Sequence, residues 1–220
     1  MQIKKIFLET ARLNELNEFY HEMLGLPITN QKHGLQLKAG NSDIFFKKHA
    51  GSLRPFYHFA FNIPFNKIES ARQWLKKKTD LIWINDYNGE IAEFFNWKAR
   101  SIYFLDPAGN IVELIGRQEF VLDSENDFGP DDFLSVSEIG IVYLKEVYEN
   151  RIAEMMEVME LDYFARQKPL PGFSAIGNDE GLLIAVYNER NWYPTSLRAA
   201  IFPLEIEILN KGKLFRQTIS

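Results

Sequence analysis

From residue 3 to residue 10, apolar and polar side chains alternate as they do along a half-buried strand. The spacing then lengthens. Leu13, Leu16, Phe19, Tyr20, Met23 and Leu24 recur at helical intervals, and Gly25 follows as a helix stop. Short strands are predicted at 35–38 and 43–48, separated by the turn formers Gly40, Asn41 and Ser42. The predicted order is therefore strand, helix, short strands.

That order restarts at Phe56. Tyr57, Phe59 and Phe61 alternate with His58, Ala60 and Asn62 until Pro64 breaks the strand. Asn66 and Glu69 resemble a capping box ahead of a helix with Ile68, Ala71, Trp74 and Leu75 on its apolar side. Further strands are predicted at 81–85, 92–95, 101–105 and 111–115. A third unit reads as a strand over 136–144, a helix carrying Tyr148, Ile152, Met155, Met156 and Met159, and strands at 161–164, 173–176 and 182–187. One more strand at 203–208 would open a truncated fourth unit. Recurrence of this kind predicts an α+β fold of tandem βαβββ modules, whose curved, mostly antiparallel sheets enclose a cavity. Residues 1–116 are expected to form two paired modules (1–50 and 54–116), with an acidic connector over 117–133 and the third and truncated fourth modules over 134–220.

Composition narrows the function. The 220 residues are 46% hydrophobic, sufficient for a sizeable core. Eighteen Phe, nine Tyr and four Trp exceed what a minimal core needs, so some can line a pocket for a flat or apolar ligand. A net charge of -5 argues against nucleic acid as a partner, and Lys76-Lys77-Lys78 reads as a solvated helix end. The absence of cysteine excludes disulfides, thiolate metal sites and a Cys nucleophile. No apolar run has the length of a membrane span, so no membrane partner is expected and the cytoplasm is the expected location.

Two polar residues lie in strands of otherwise apolar character. Asp106-Pro107-Ala108-Gly109-Asn110 has the residues of a type I turn, and Glu113 follows with Ile111 and Ile115 on its own strand face. A carboxylate so placed needs a cation, a hydrogen-bonding partner or a metal, unless the strand is an exposed edge. His58 is open to the same two readings, a hydrogen-bonded core histidine or a ligand. Together they offer one imidazole and one carboxylate, suited to Fe, Mn, Ni, Co or Zn but short of three protein ligands.

Phe19-Tyr20-His21-Glu22-Met23-Leu24-Gly25-Leu26 resembles the end of the first helix in the vicinal-oxygen-chelate superfamily, which includes glyoxalases, bleomycin-resistance proteins and extradiol dioxygenases. Residues 102–115, with Phe104, Asp106-Pro107, Gly109-Asn110 and Glu113-Leu114, resemble its closing hairpin. The resemblance implies metal ligands on the first and last strands of paired modules: His58 and Glu113 in the second module, with Glu113 also the catalytic residue. The first module departs from the pattern, offering Lys5 and no ligand within Ile44-Phe45-Phe46-Lys47. Glu138 and Glu205 stand at first-strand positions later in the chain, and His49 is a fallback third ligand.

Two functions follow as expectations. One is a metal-dependent lyase or dioxygenase acting on a small oxygen-bearing substrate. The other is a metal-free protein that sequesters a small molecule, with Lys5 pairing Glu113 or holding an anionic ligand. In either, Lys5, Phe45, Trp97 and Tyr103 are the candidate substrate-binding residues, and the chain is expected to act as a monomer or homodimer.

Overall fold

The computed structural model describes residues 1–119 and 125–219. Strand β1 (Gln2–Thr10) leads into helix α1 (Leu13–Asn17), which continues as a π turn over Glu18–Met23 before β2 (Ile28–Gln31), β3 (Gly34–Ala39) and β4 (Ser42–Lys48). In space these strands lie in the order β2-β3-β4-β1, with β4 and β1 parallel. The next segment repeats that path: β5 (His58–Ile63), α2 (Ile68–Leu75), β6 (Ala92–Phe94), β7 (Ala99–Leu105) and β8 (Ile111–Arg117) lie as β6-β7-β8-β5, with β8 and β5 parallel. A third segment has β9 (Ser135–Tyr143), α3 (Tyr148–Val158), β10 (Phe173–Asn178) and β11 (Gly181–Tyr187), with β11 parallel to β9. A final hairpin, β12 (Leu204–Asn210) and β13 (Lys213–Ile219), adds to β1. All these strands join in one large, curved, open sheet, so the class is α+β with few helices.

The pairing between segments differs from the sequence expectation. Residues 1–50 and 54–116 are not direct partners across a shared seam: β5 pairs antiparallel with β9, and β1 pairs antiparallel with β12. β1 and β9 meet at a single position, Ile3 opposite Val136, where the Ser42 hydroxyl donates to the Ile3 carbonyl and accepts from the Val136 amide. The physical reason lies in β5 itself. Every one of its residues is buried, and such a strand must be hydrogen-bonded on both edges, here by β8 and β9.

Other expectations shift by smaller amounts. Residues 81–85 and 161–164 contribute isolated bridges, Leu81 to Phe104 and Tyr163 to Ile176, rather than strands. The connector expected over 117–133 lies partly outside the described residues. Its ends are packed, since Arg117 closes β8 and Phe128 and Phe133 stack around Trp74. No helix among the described residues is long and apolar enough to cross a membrane.

The helices bury Leu16, Tyr20, Ile68, Leu75, Ile152 and Met155 in the main core, against one face of the sheet. Alternation sends Ile111, Tyr103, Ala175 and Ile184 into a second apolar cluster on the opposite face. The two sequence motifs meet in the turn between β7 and β8. Tyr20 from the first helix donates to Asp106 Oδ2 (2.9 Å), and Asp106 Oδ1 accepts the amides of Ala108 and Asn110. Asn110 in turn accepts the Tyr57 amide (2.8 Å), fixing the start of β5 beside β8. Gly109 closes the turn with φ +85°, where a side chain would be strained. Burial raises the Asp106 carboxyl to about 6 against these hydrogen bonds. The motif residues thus act first as a brace that aligns the strands bearing His58 and Glu113.

Candidate metal centre

β8, β5 and β9 are neighbours in the sheet, so inward residues of all three converge on one spot. They are Glu113, His58 and Glu138, each at most 5% exposed, with one donor atom apiece lying within 4.8 Å of the others. Ala60 stands opposite both Glu113 and Glu138, leaving room between the two carboxylates.

His58 is oriented by its backbone neighbour. Nδ1 lies 3.2 Å from the Ile111 carbonyl, which can only accept, so Nδ1 carries the proton and Nε2 presents its lone pair. Burial lowers the imidazole to about 4, keeping it neutral at physiological pH. Nε2 stands 3.6 Å from Glu113 Oε2, too far for a hydrogen bond yet less than twice a typical metal–ligand distance of about 2.1 Å. The Trp192 ring packs on the imidazole, centroids 5.2 Å apart.

The carboxylates have different surroundings. Burial, followed by the charge of Glu138, pushes Glu113 up to about 8, with the Ser101 and Tyr103 hydroxyls opposing this. Glu138 is also raised by burial, but Arg117 opposes the shift as its ion-pair partner. Arg117 is 1% exposed, and its guanidinium lies over Trp97 and Phe164 with Asp179 at 3.9 Å. The Arg117 guanidinium favours the ionised form of Glu138 against its burial, while Glu113, raised to about 8, is the member of the cluster that carries a proton near neutral pH.

A cavity of about 270 Å³ opens over these residues, walled by Phe94, Trp97, Tyr103, Phe173, Trp192 and Tyr193. Part of the wall comes from the connection between β11 and β12, which carries Trp192 and Tyr193. Gly140 on β9 makes space for it. A Cβ there would sit 2.5 Å from the Trp192 ring and 3.3 Å from His58 Cβ. Gly140→Ala is therefore expected to displace Trp192, destabilising the fold by about 1–3 kcal/mol and red-shifting tryptophan emission. An unchanged melting temperature and spectrum would contradict this packing.

Of the residues singled out in the sequence, His58, Glu113, Trp97 and Tyr103 line this one cavity. Lys5 and Phe45 do not, because they belong to β1 and β4 in the other half of the sheet. Lys5 pairs with Glu207 at 2.9 Å rather than with Glu113, and Phe45 stacks on Phe7 with centroids 4.7 Å apart. His49 binds Glu9 (2.7 Å) and Glu205 binds Arg216, so neither completes the cluster. The third donor is Glu138. Its sequence signal matches that of Glu113, an acid within an apolar strand, and Arg117 is legible as the next-but-one residue on the Glu113 face of β8.

The strand order and helix placement form a fold that recurs among solved structures. Among solved structures, the "putative dioxygenase" from Bacillus subtilis subsp. subtilis str. 168 shares this fold at TM-score 0.60 and 17% identity, over 84% of this chain. The match takes in 63% of that protein, so this chain spans less than two thirds of its length. A lactoylglutathione lyase from Agrobacterium tumefaciens aligns at TM-score 0.43 and 18% identity, over 55% of this chain and 96% of its own. No family model and no curated protein matches the chain.

Proposed function

We propose that this chain binds a divalent metal through His58, Glu113 and Glu138 and acts on a small oxygen-bearing substrate held in the aromatic cavity. The observation that supports it most is the convergence of three buried donors, one of them a neutral imidazole whose lone pair is free. One nitrogen and two carboxylate oxygens suit Mn, Fe or Zn, with Co and Ni also compatible. When bound, the ion would supply positive charge against negative charge developing on a substrate oxygen.

The protein's own groups divide the remaining work. His58 is held by the Ile111 carbonyl and needs no rotamer search to present Nε2. Arg117 pairs with Glu138, which favours its ionised form and aligns it. In the metal-free protein burial holds a proton on Glu113 near neutral pH; taking up the ion would displace that proton, and Glu113 is assigned the ligand's role together with the catalytic one of accepting a proton from the substrate. Trp97 and Tyr103 position the substrate's apolar part and exclude water.

One observation favours metal-free ligand binding as a second reading. With the proton on Glu113 and Glu138 matched by Arg117, the cluster is already charge-balanced without an ion. Elemental analysis separates the two. After growth with added Fe, Mn, Ni, Co and Zn, the purified chain is expected to hold stoichiometric metal and a His58→Ala variant none. Wild-type protein without metal under those conditions would overturn the first reading and leave the second.

A further inference from the structure

The cavity has a polarity that the metal cluster does not account for. Its buried end carries two carboxylic groups, yet its lining also includes one cation, Arg190, from the turn that follows β11. Among the described residues Arg190 has no carboxylate partner: its guanidinium lies over the Phe173 ring at 5.0 Å, and Phe173 lines the same cavity. The acid beside it in sequence, Glu189, is taken by Lys145 at 3.0 Å. The other arginines near this end are also engaged, Arg117 with Glu138 and Arg166 with Glu119 and Asp179. A half-buried guanidinium stacked on an aromatic ring has its planar edge available, and that edge matches a carboxylate through two parallel hydrogen bonds.

We infer that the cavity selects a small aromatic carboxylate, its ring between the Trp97, Phe173 and Trp192 side chains and its carboxylate on Arg190. This rests on reading the cavity as the ligand site, but not on the ion being bound. A carboxylate lying towards the buried end would find no free cation there, because Arg117 is already paired with Glu138, and would stand beside that acid instead. The ligand is therefore polarised, with its anionic end at Arg190 and the other end of its ring towards His58. Volume agrees, since about 270 Å³ accommodates one substituted ring and little more.

The test uses benzoate and its neutral isostere benzamide, titrated into the purified chain in the presence of a chelator and followed by calorimetry and by tryptophan fluorescence, to which Trp97 and Trp192 contribute from the cavity wall. Removing metal ensures that the benzoate carboxylate has no ion to bind. Benzoate is expected to bind at least about tenfold more tightly than benzamide, a charge-assisted pair accounting for that ratio. Arg190→Gln should erase the preference while leaving benzamide binding intact, which also shows the variant is folded; Arg190→Lys should keep part of it. Equal binding of the two probes, or a preference that survives Arg190→Gln, overturns the assignment. So does the absence of binding by both. None of these outcomes depends on metal content, so loss of the metal reading and loss of this one are separately visible.

Discussion

Replacing Glu113 by Gln is expected to abolish the proposed metal binding and, at the same time, to make the metal-free chain more stable at alkaline pH. Loss of an outer partner alone typically weakens a metal site by 10- to 100-fold, so loss of a ligand is expected to weaken it by at least about 100-fold. The stability gain follows from the same carboxyl. Burial raises it from its usual 4.5 to about 8, so the folded state keeps a proton that the unfolded chain releases between those values. Folding is unpenalised by this group below about pH 4.5; the penalty grows as pH rises and is complete above about pH 8. Gln stays neutral throughout. Melting curves in chelator should therefore nearly coincide at pH 5 and separate towards pH 9, with the variant ahead by a few kcal/mol, roughly 5–10 °C for a chain of this size. Identical curves at pH 5 and pH 9 would show that Glu113 is not the proton-bearing member of the pair.

Arg117→Met should have the opposite sign and the largest effect on stability. The change removes the guanidinium that faces Glu138 and leaves an uncompensated carboxylate inside the protein, a situation that costs about 3–5 kcal/mol. A fall in melting temperature of about 10 °C is expected at neutral pH. The companion Glu138→Leu should recover most of it in the double variant, because exchanging both partners of a buried pair for apolar groups is often neutral. If the double variant melts as low as Arg117→Met alone, the arginine is stabilising the fold by its packing on Trp97 and Phe164 instead.

How far these residues could be read in advance depended on whether their signal was local. Alternation of two against spacing of three or four placed β1, α1, β5, α2 and β9, and the turn chemistry of Asp106 to Asn110 located the β7–β8 hairpin. His58 and Glu113 stood out as polar groups in apolar strands, and Glu138 bears the same mark. What periodicity does not carry is which edge meets which. The β5–β9 pairing joins residues nearly 80 positions apart, opposite Ala60 and Glu138, and with it come Arg117 as a counter-charge and Trp192 as a wall. Lys5 and Phe45 were misplaced for the same reason. They share a strand pattern with the site residues, but the face they occupy is filled by the Phe7–Phe45 stack, with Lys47 and Arg216 over the Phe7 ring at 5.1 Å each. β13 was missed because its alternation is mostly between exposed and half-exposed positions, which leaves little hydrophobic contrast to detect.

The Lys5–Glu207 contact takes on a different meaning beside the cluster around His58. Both lie where the first strand of one segment pairs with the first strand of another, on β1 with β12 and on β5 with β9. In one place an acid meets an ammonium built into the polypeptide, which cannot exchange with solvent and leaves no coordination position open. In the other, the neighbouring acids meet a neutral ring and a guanidinium set behind them, which leaves space for a guest. A tethered counter-ion makes one seam permanently closed, while the other remains addressable from outside the molecule.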